Sequence, residues 1–318
     1  MRIAMKLRRF LKGYVEMLNT GARPAGVPKQ APQAISPSRE RPIVNILLFL
    51  ATLCTTTLAG ASQEGGFWAS IAGGLPYSLT LMSILLCHEF GHYFAARRFG
   101  VRVTLPYFIP IPPIAGWGSI VGTMGAVIKT KSPIPDRRAL LYVGVMGPIP
   151  GFLISLAAVT VGIALSEVKQ LPAPGGDYLV PVFGDSLLFG LIARLIHGPM
   201  PPGHDLFLSP YAWAGWIGFL ITGLNLMPIG QLDGGHVLYA LMGRRQRYIG
   251  WIALAGLVGL SFIWIGWVIW IILTLTLLMV AHPEVPEGDP LSVGERVMGW
   301  IGMLILVLTF IPKPVEFL

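Results

Sequence analysis

Long runs without a charged residue constrain this fold more than any other feature of the sequence. A soluble domain carries about a quarter charged residues, whereas only 12% of these 318 residues are charged and 54% are hydrophobic. Apolar runs of about 18 residues or more are typical of helices that cross a bilayer. We therefore predict an all-α polytopic membrane protein with six to seven transmembrane helices. The uncharged runs are residues 44–60, 68–87, 103–128, 139–165, 206–232, 248–281 and 297–312.

Two of these runs do not predict a single helix. Residues 103–128 contain four prolines and four glycines, which break helices. Their flanks suit extended chain, and bare strands cannot face lipid. We therefore predict a re-entrant β-like hairpin that protein shields from the lipid. Residues 248–281 are too long for one span and long enough for two short ones. The polar stretch 166–205 is expected to carry an interfacial helix at 185–196.

The N-terminal 43 residues differ from the rest of the chain. They hold nine Lys or Arg and two Glu, and we expect a basic cytoplasmic segment at 1–43 before a membrane domain at 44–318. Apolar residues at helical spacing in 1–18 favour an amphipathic helix on a membrane surface, with an unstructured basic tail as the alternative. The formal net charge of +8 fits contact with a lipid bilayer, and without a soluble basic domain we expect no nucleic-acid partner.

Basic residues in the short loops predict the orientation of the spans. Nine precede residue 44, seven lie between residues 97 and 138, and three lie between residues 244 and 247, whereas the opposite loops hold few. The N-terminus, the end of the second span and the segment after residue 232 should therefore all face the cytoplasm. This orientation would bring His88 and Asp233 to the same side of the bilayer.

The second span runs directly into His88-Glu89-Phe90-Gly91-His92. On a helix the two histidines, four residues apart, share one face and can reach one metal ion. Glu89 lies beside them, where it can take a proton from water. Ionisable groups in a membrane helix are costly unless they pair or bind something. The alternative is a buried polar cluster, or the proton relay of a transporter.

A catalytic zinc takes three protein ligands as a rule, and a third candidate lies in Asn225-Leu-Met-Pro-Ile-Gly-Gln-Leu-Asp233-Gly-Gly-His236. Its proline and glycines should end a span, and Asp233 should begin a short helix. Asp233 could be no more than a helix N-cap, and His236 is the rival ligand. The spacing alone does not choose between Asp233 and His236.

These two segments together resemble the site-2 protease family of intramembrane metalloproteases, whose signatures are H-E-x-x-H and N-x-x-P-x-x-x-L-D-G. Gly147-Pro-Ile-Pro-Gly151 is similar to the family's glycine-rich helix-packing element. The resemblance covers about residues 44–245, with a core at 68–245. The loop 166–205 is too short for the PDZ domain that many relatives carry between the third and fourth spans.

The resemblance implies a role for each matching residue. His88, His92 and Asp233 would hold one Zn²⁺ per chain, and Glu89 would be the general base. Asn225 would steady the substrate or the developing oxyanion, although a helix–helix hydrogen bond is the alternative reading.

The resemblance also implies the reaction and its setting. The chain would hydrolyse a peptide bond within or near the transmembrane segment of a single-pass substrate. The β-prone sequence of residues 103–128, and not the resemblance, suggests that the unwound substrate pairs with an edge of the hairpin. We expect an integral protein of the bacterial inner membrane with its site toward the cytoplasm, and a plastid or archaeal membrane is the alternative; no motif sets an oligomeric state. A metal or proton transporter and an inactive scaffold remain as alternatives.

Overall fold

The computed structural model describes residues 42–61, 66–113, 121–171, 181–279 and 285–317. The amphipathic helix expected within residues 1–18 lies outside the described residues, and the domain boundary at residue 43 stays a prediction. The helices are α1 (Pro42–Gly60), α2 (Phe67–Arg98), α3 (Arg137–Met146), α4 (Pro148–Ala164), α5 (Leu187–His197), α6 (Pro210–Asn225), α7 (Asp233–Met242), α8 (Gln246–Ser261), α9 (Trp267–Met279) and α10 (Val293–Thr309). The strands are β1 (Tyr107–Pro110), β2 (Thr123–Val127), β3 (Glu167–Gln170), β4 (Pro181–Phe183), β5 (His204–Phe207) and β6 (Val315–Phe317).

Helices make up most of the described chain, as the uncharged runs predict. Within the described residues, three helical stretches are long and apolar enough to cross a membrane, namely Pro42–Gly60, Trp68–Arg98 and Arg137–Ala164. The long run 248–281 forms two shorter helices, α8 and α9. The interfacial helix expected at 185–196 corresponds to α5, whose N-cap Ser186 accepts a hydrogen bond from the backbone N–H of Phe189.

The expectation of an all-α protein is wrong for the loops. The described residues contain three two-stranded antiparallel sheets, which pair β1 with β2, β3 with β5, and β4 with β6. Proline-rich chain cannot continue a helix, and these segments satisfy their backbone groups across strands instead. Strand β6 near the C-terminus pairs with β4 of the polar 166–205 loop, which places both on the same side of the helices.

The segment predicted as a re-entrant hairpin contains two paired antiparallel strands, and its re-entry into a membrane remains a prediction. Strands β1 and β2 pair from Tyr107 opposite Val127 to Pro110 opposite Thr123. Helices α1 and α2 hold the hairpin by side-chain hydrogen bonds to its backbone. Asn45 donates to the carbonyls of Leu105 and Pro106, Thr55 donates to that of Gly122, and Tyr77 donates to that of Val121. The hairpin therefore lies lengthwise against two apolar helices.

The run 139–165 was expected to form one helix, but it is broken at Gly147 into α3 and α4. Pro148 and Pro150 lack the N–H groups that would continue the hydrogen-bond ladder of α3. Asp136 caps α3 by accepting from the backbone N–H of Ala139 at 2.8 Å, and the two residues that follow it are Arg137 and Arg138.

Those two arginines pair with the far end of the chain. Arg137 bonds Glu287 at 2.7 Å, and Arg138 bonds Glu295 in the first turn of α10. Glu295 is buried, and it also accepts from the N-cap Ser292 in a capping box. The start of α10 is thus held beside the start of α3.

Glycine brings α4 and α6 together in the central apolar cluster, which contains Leu81, Val159 and Ile217. A Cβ on Gly162 would lie 2.1 Å from the backbone nitrogen of Ala212, and one on Gly215 would lie 2.7 Å from that of Val159. Within a membrane such small residues allow the van der Waals contact that holds helices together.

This packing predicts that Gly162→Ala destabilises the protein, because the new methyl group meets backbone rather than a movable side chain. Overpacking of this kind costs about 1–3 kcal/mol. The matched control is Gly259→Ala on α8, where a Cβ has no heavy atom within 4 Å. Thermal unfolding in detergent should show a lower midpoint for Gly162→Ala alone. Equal midpoints for the two variants would contradict the close approach of α4 and α6.

Candidate metal centre

Three side chains from two helices converge on one point. His88 and His92 lie one turn apart on α2, and Asp233 is the first residue of α7. Their ligand atoms all lie within 4.8 Å of one another. The Nε2 atoms of the two histidines are 3.1 Å apart, and Asp233 Oδ2 lies 3.4 Å from that of His88 and 3.3 Å from that of His92.

These separations fit a tetrahedral metal ion. Zinc binds histidine nitrogen at about 2.0–2.1 Å, so two ligands of a tetrahedral ion lie about 3.3 Å apart. Two imidazole nitrogens and one carboxylate oxygen are a donor set that zinc accepts, and three protein ligands leave a fourth position open. The three residues therefore fit one zinc ion by both distance and chemistry.

A backbone carbonyl sets the orientation of His92. Nδ1 of His92 lies 2.6 Å from the carbonyl oxygen of Val143. A carbonyl can only accept, so Nδ1 is the donor and Nε2 keeps its lone pair for a metal. Val143 belongs to the last turn of α3, where helix carbonyls lack partners within the helix. The last turn of α3 therefore brings a carbonyl acceptor beside the metal centre.

Glycines let the break between α3 and α4 lie directly on the histidine helix. A Cβ on Gly91, inside the HEFGH motif, would lie 1.6 Å from the carbonyl oxygen of Met146. A Cβ on Gly147 would lie 2.1 Å from Nε2 of His92. The glycine-rich element expected to pack helices thus packs against the candidate ligands themselves, a detail that the spacing of the sequence did not reveal.

Glycines also place Asp233. A Cβ on Gly234 would lie 1.8 Å from the carbonyl oxygen of Leu226, and one on Gly235 would lie 2.4 Å from that of Gly230. The first turn of α7 can therefore lie flat on the loop that follows α6. The N-cap of α7 is Leu232, and no side chain caps the helix. The alternative reading of Asp233 as an N-cap is wrong.

The rival ligand lies outside the cluster. His236, one turn further along α7, is half-buried and packs near Gly144 of α3. Among the described residues, the group that could hold a metal contains Asp233 and lacks His236. The geometry thus separates two candidates that the sequence left open.

The two other predicted site residues are adjacent to this group. Glu89 is 6% exposed, and its carboxylate makes no hydrogen bond or ion pair with any residue in the described ranges. Asn225, the last residue of α6, brings its Nδ2 to 3.3 Å from Nε2 of His88. All five predicted residues therefore meet at one buried place.

Two further histidines, His197 and His204, lie elsewhere in the described residues. His197 ends α5 and bonds the carbonyl oxygen of Ile163 at 2.8 Å, and His204 begins β5. His282 lies outside the described residues. Neither His197 nor His204 belongs to the group formed by His88, His92 and Asp233.

Comparison with known proteins gives this site a family context. The model of Peptidase family M50 matches residues 76–265, a range that includes all five site residues. The chain is 32% identical over 253 residues to "Probable zinc metalloprotease EGY2, chloroplastic" of Arabidopsis thaliana, covering 77% of this chain and 43% of that protein. It is 34% identical over 178 residues to "Probable zinc metalloprotease EGY1, chloroplastic" of the same plant, covering 55% and 31%. No solved structure matches the chain.

These relatives bear on the expected location. The chain spans less than half the length of either relative. Both are named as chloroplastic plant proteins, so they lend no support to the expected bacterial inner membrane.

The geometry predicts that Asp233→Ala loses zinc. Purified wild-type protein should contain about one zinc per chain by elemental analysis, and the variant should contain well under half, because two imidazoles alone make an incomplete site. His236→Ala is the matched control on the same helix and should keep its zinc. Zinc lost from His236→Ala and retained in Asp233→Ala would contradict this ligand set.

Proposed function

Because the chain belongs to Peptidase family M50, the site-2 protease family that its two motifs predicted, we propose that it is an intramembrane zinc metalloprotease. Its substrate would be a single-pass membrane protein, cut within or near the transmembrane segment. The observation that carries this proposal is the meeting of His88, His92 and Asp233 around one point, with the unpaired carboxylate of Glu89 beside them. A proton relay has no need of three ligand atoms at tetrahedral spacing.

The membrane setting is part of the same proposal. Helix α2 has 32 residues and is about 48 Å long at 1.5 Å per residue, which exceeds the thickness of about 30 Å of a hydrocarbon core. His92 and His88 lie six and ten residues before its end at Arg98, or about 9 and 15 Å. The candidate centre would therefore lie below the membrane surface on the side of the basic loops.

We propose six spans. The long helices α1, α2 and α3–α4 would form the first three spans, and α6 would form the fourth. Helices α8 and α9 together would form a fifth, short unit that enters and leaves on the same side. Helix α10 would form the sixth span. Helix α10 begins beside Asp136 and Arg138 and ends near β4, so it passes from one side of the helices to the other. The plant relatives leave open which bilayer holds the protein, and the bacterial inner membrane remains an expectation of the sequence alone.

Each site residue has a task in peptide hydrolysis. His88, His92 and Asp233 would hold zinc, which when bound supplies a Lewis acid for the scissile carbonyl and makes water in the site more acidic. Glu89, next to both histidines, would accept the proton of the attacking water and return it to the leaving amine. Asn225 would donate its amide to the oxygen on which negative charge develops.

The burial of Glu89 suits this role. Because the Glu89 carboxylate makes no hydrogen bond or ion pair with any described residue, it remains available to water and substrate. A purely structural acid would be paired, as Glu295 is with Arg138.

The hairpin would present the substrate. It contacts α2 at Tyr77 through Val121, and its base packs with Ala96 in a cluster that includes Val101 and Val103. His88 lies between Tyr77 and Ala96 on that helix, so the hairpin runs past the level of the site. Strand β2 has β1 on one side and no other described strand on the second side. An unwound substrate segment could add to that edge, as extended peptides do to exposed strands.

The Glu89→Gln variant tests the catalytic assignment. Removing a general base lowers the rate by about 10²–10⁴-fold, while zinc content should stay at the wild-type level. The assay uses vesicles with a panel of tagged single-pass segments, followed by mass spectrometry of the new termini. Glu167→Gln on β3 makes the same change at an exposed carboxylate and should cleave normally. Unchanged cleavage by Glu89→Gln would refute the role of the base, and zinc-dependent ion flux with no cleavage would favour a transporter.

The Met124→Pro variant tests the strand edge. Met124 lies in β2 and is 74% exposed, so the change removes one N–H without removing a buried contact. Cleavage should fall roughly tenfold, the effect of one lost backbone hydrogen bond and a disturbed edge, with zinc content unchanged. Met124→Ala keeps the N–H, so its cleavage rate should stay within about threefold of the wild-type rate, a smaller change than the loss of one such hydrogen bond would cause. Equal activity of the two variants would contradict strand pairing.

A further inference from the structure

A cavity lies along the side of the histidine helix that carries Gly91, Phe94 and Arg98. Its volume is about 590 Å³, and it opens between the end of α2 and the α3–α4 break. Its walls are mostly apolar and include Phe94, Phe99, Tyr142 and Met146. Two guanidinium groups, those of Arg98 and Arg138, are the charged groups among its lining residues. We call it the Arg98 pocket.

The charge of the Arg98 pocket is not compensated. Arg138 is bonded to Glu295 of α10. Arg98 is exposed, and it has no hydrogen bond or ion pair with any residue in the described part of the chain. One free cation thus stands beside an apolar cavity, an arrangement that suits a ligand with one anionic group and one apolar chain.

The position of the pocket points to the source of such a ligand. Arg98 is the last residue of the apolar helix α2, where a span would reach the membrane surface. Phe94, one turn earlier, is 64% exposed and would face lipid in a bilayer. Basic pockets between membrane helices at this level are typical binding sites for anionic lipid headgroups. A small free anion would gain little from the apolar walls.

We propose that the Arg98 pocket binds an anionic membrane glycerolipid, with its headgroup phosphate at Arg98 and an acyl chain against Phe94 and Tyr142. This inference rests on the proposed membrane location and not on proteolytic activity. The ligand class is defined by a phosphate headgroup with a net negative charge together with an acyl chain.

Binding there would act on the metal centre through shared residues. Gly91 and Met146 line the pocket, and they form the contact in which α2 meets the end of α3. The same end of α3 carries the Val143 carbonyl that orients His92. A lipid that fills the pocket would hold α2 against α3 and so keep His92 directed at the metal.

Native mass spectrometry of the full chain in detergent, titrated with phosphatidylglycerol, tests the proposal. The wild type should bind one molecule more tightly than any further ones. Arg98→Gln should weaken this first binding about tenfold, as expected for a lost charge-assisted contact. Arg97→Gln is the matched control, since Arg97 is the neighbouring arginine, donates to Tyr93 and does not line the pocket. Its binding should change by no more than about twofold, because only surface charge is lost.

Two further ligands test which parts of the lipid the pocket recognises. Phosphatidylcholine should not occupy the first site, and glycerol 3-phosphate should not compete, because it lacks the acyl chain. If Arg97→Gln and Arg98→Gln lost the same amount of affinity for phosphatidylglycerol, general attraction to surface charge would explain the binding and the pocket proposal would be wrong. Competition by glycerol 3-phosphate would show that the acyl chain has no role. Phosphatidylglycerol should also slow the loss of zinc to a chelator in wild type and not in Arg98→Gln. Loss of zinc at the same rate with and without the lipid would contradict an effect of the pocket on the metal centre. Absence of zinc from the purified protein would count against the proposed protease and leave the lipid-binding result intact.

Discussion

The contact between the HEFGH helix and the break at Gly147 is the constraint on which the rest of the site depends. Without a side chain on Gly91, the carbonyl of Met146 reaches the backbone of α2. Without one on Gly147, the ring of His92 can occupy the space above the break. In the last turn before the break, the carbonyl of Val143 accepts from Nδ1 of His92. Packing, ring orientation and metal geometry are therefore consequences of one close approach.

The sequence predicts those parts of the structure that local chemistry decides. Uncharged runs give α1, α2, α6 and α10, and four prolines in 103–128 exclude a helix and leave a hairpin. The spacing of His88 and His92 needs nothing beyond helical periodicity. The break at Gly147 is harder to predict, because α3 and α4 lie in one uncharged run of the sequence. Only the two nearby prolines indicate that the first helix ends there.

Other features depend on residues far apart in the chain and were missed. The pairing of β6 with β4 joins residues more than a hundred positions apart, and short strands of that kind have no strong periodicity. Arg138 forms its ion pair with Glu295, and not with its neighbour Asp136, because α10 begins beside α3. The choice of Asp233 over His236 needed the loop after α6, where Gly234 and Gly235 bring the first turn of α7 close to the backbone. The family resemblance had indicated Asp233, and geometry supplies an independent reason.

The most direct test of the central claim is zinc-edge X-ray absorption on the purified wild-type protein. The account predicts about two imidazole nitrogens near 2.0–2.1 Å and the remaining ligands oxygen, since Asp233 supplies a carboxylate and the fourth position is open to water. Three imidazoles would move the third ligand to another histidine and contradict the role of Asp233. A sulfur shell near 2.3 Å, or no bound zinc in a folded protein, would contradict the metal centre itself.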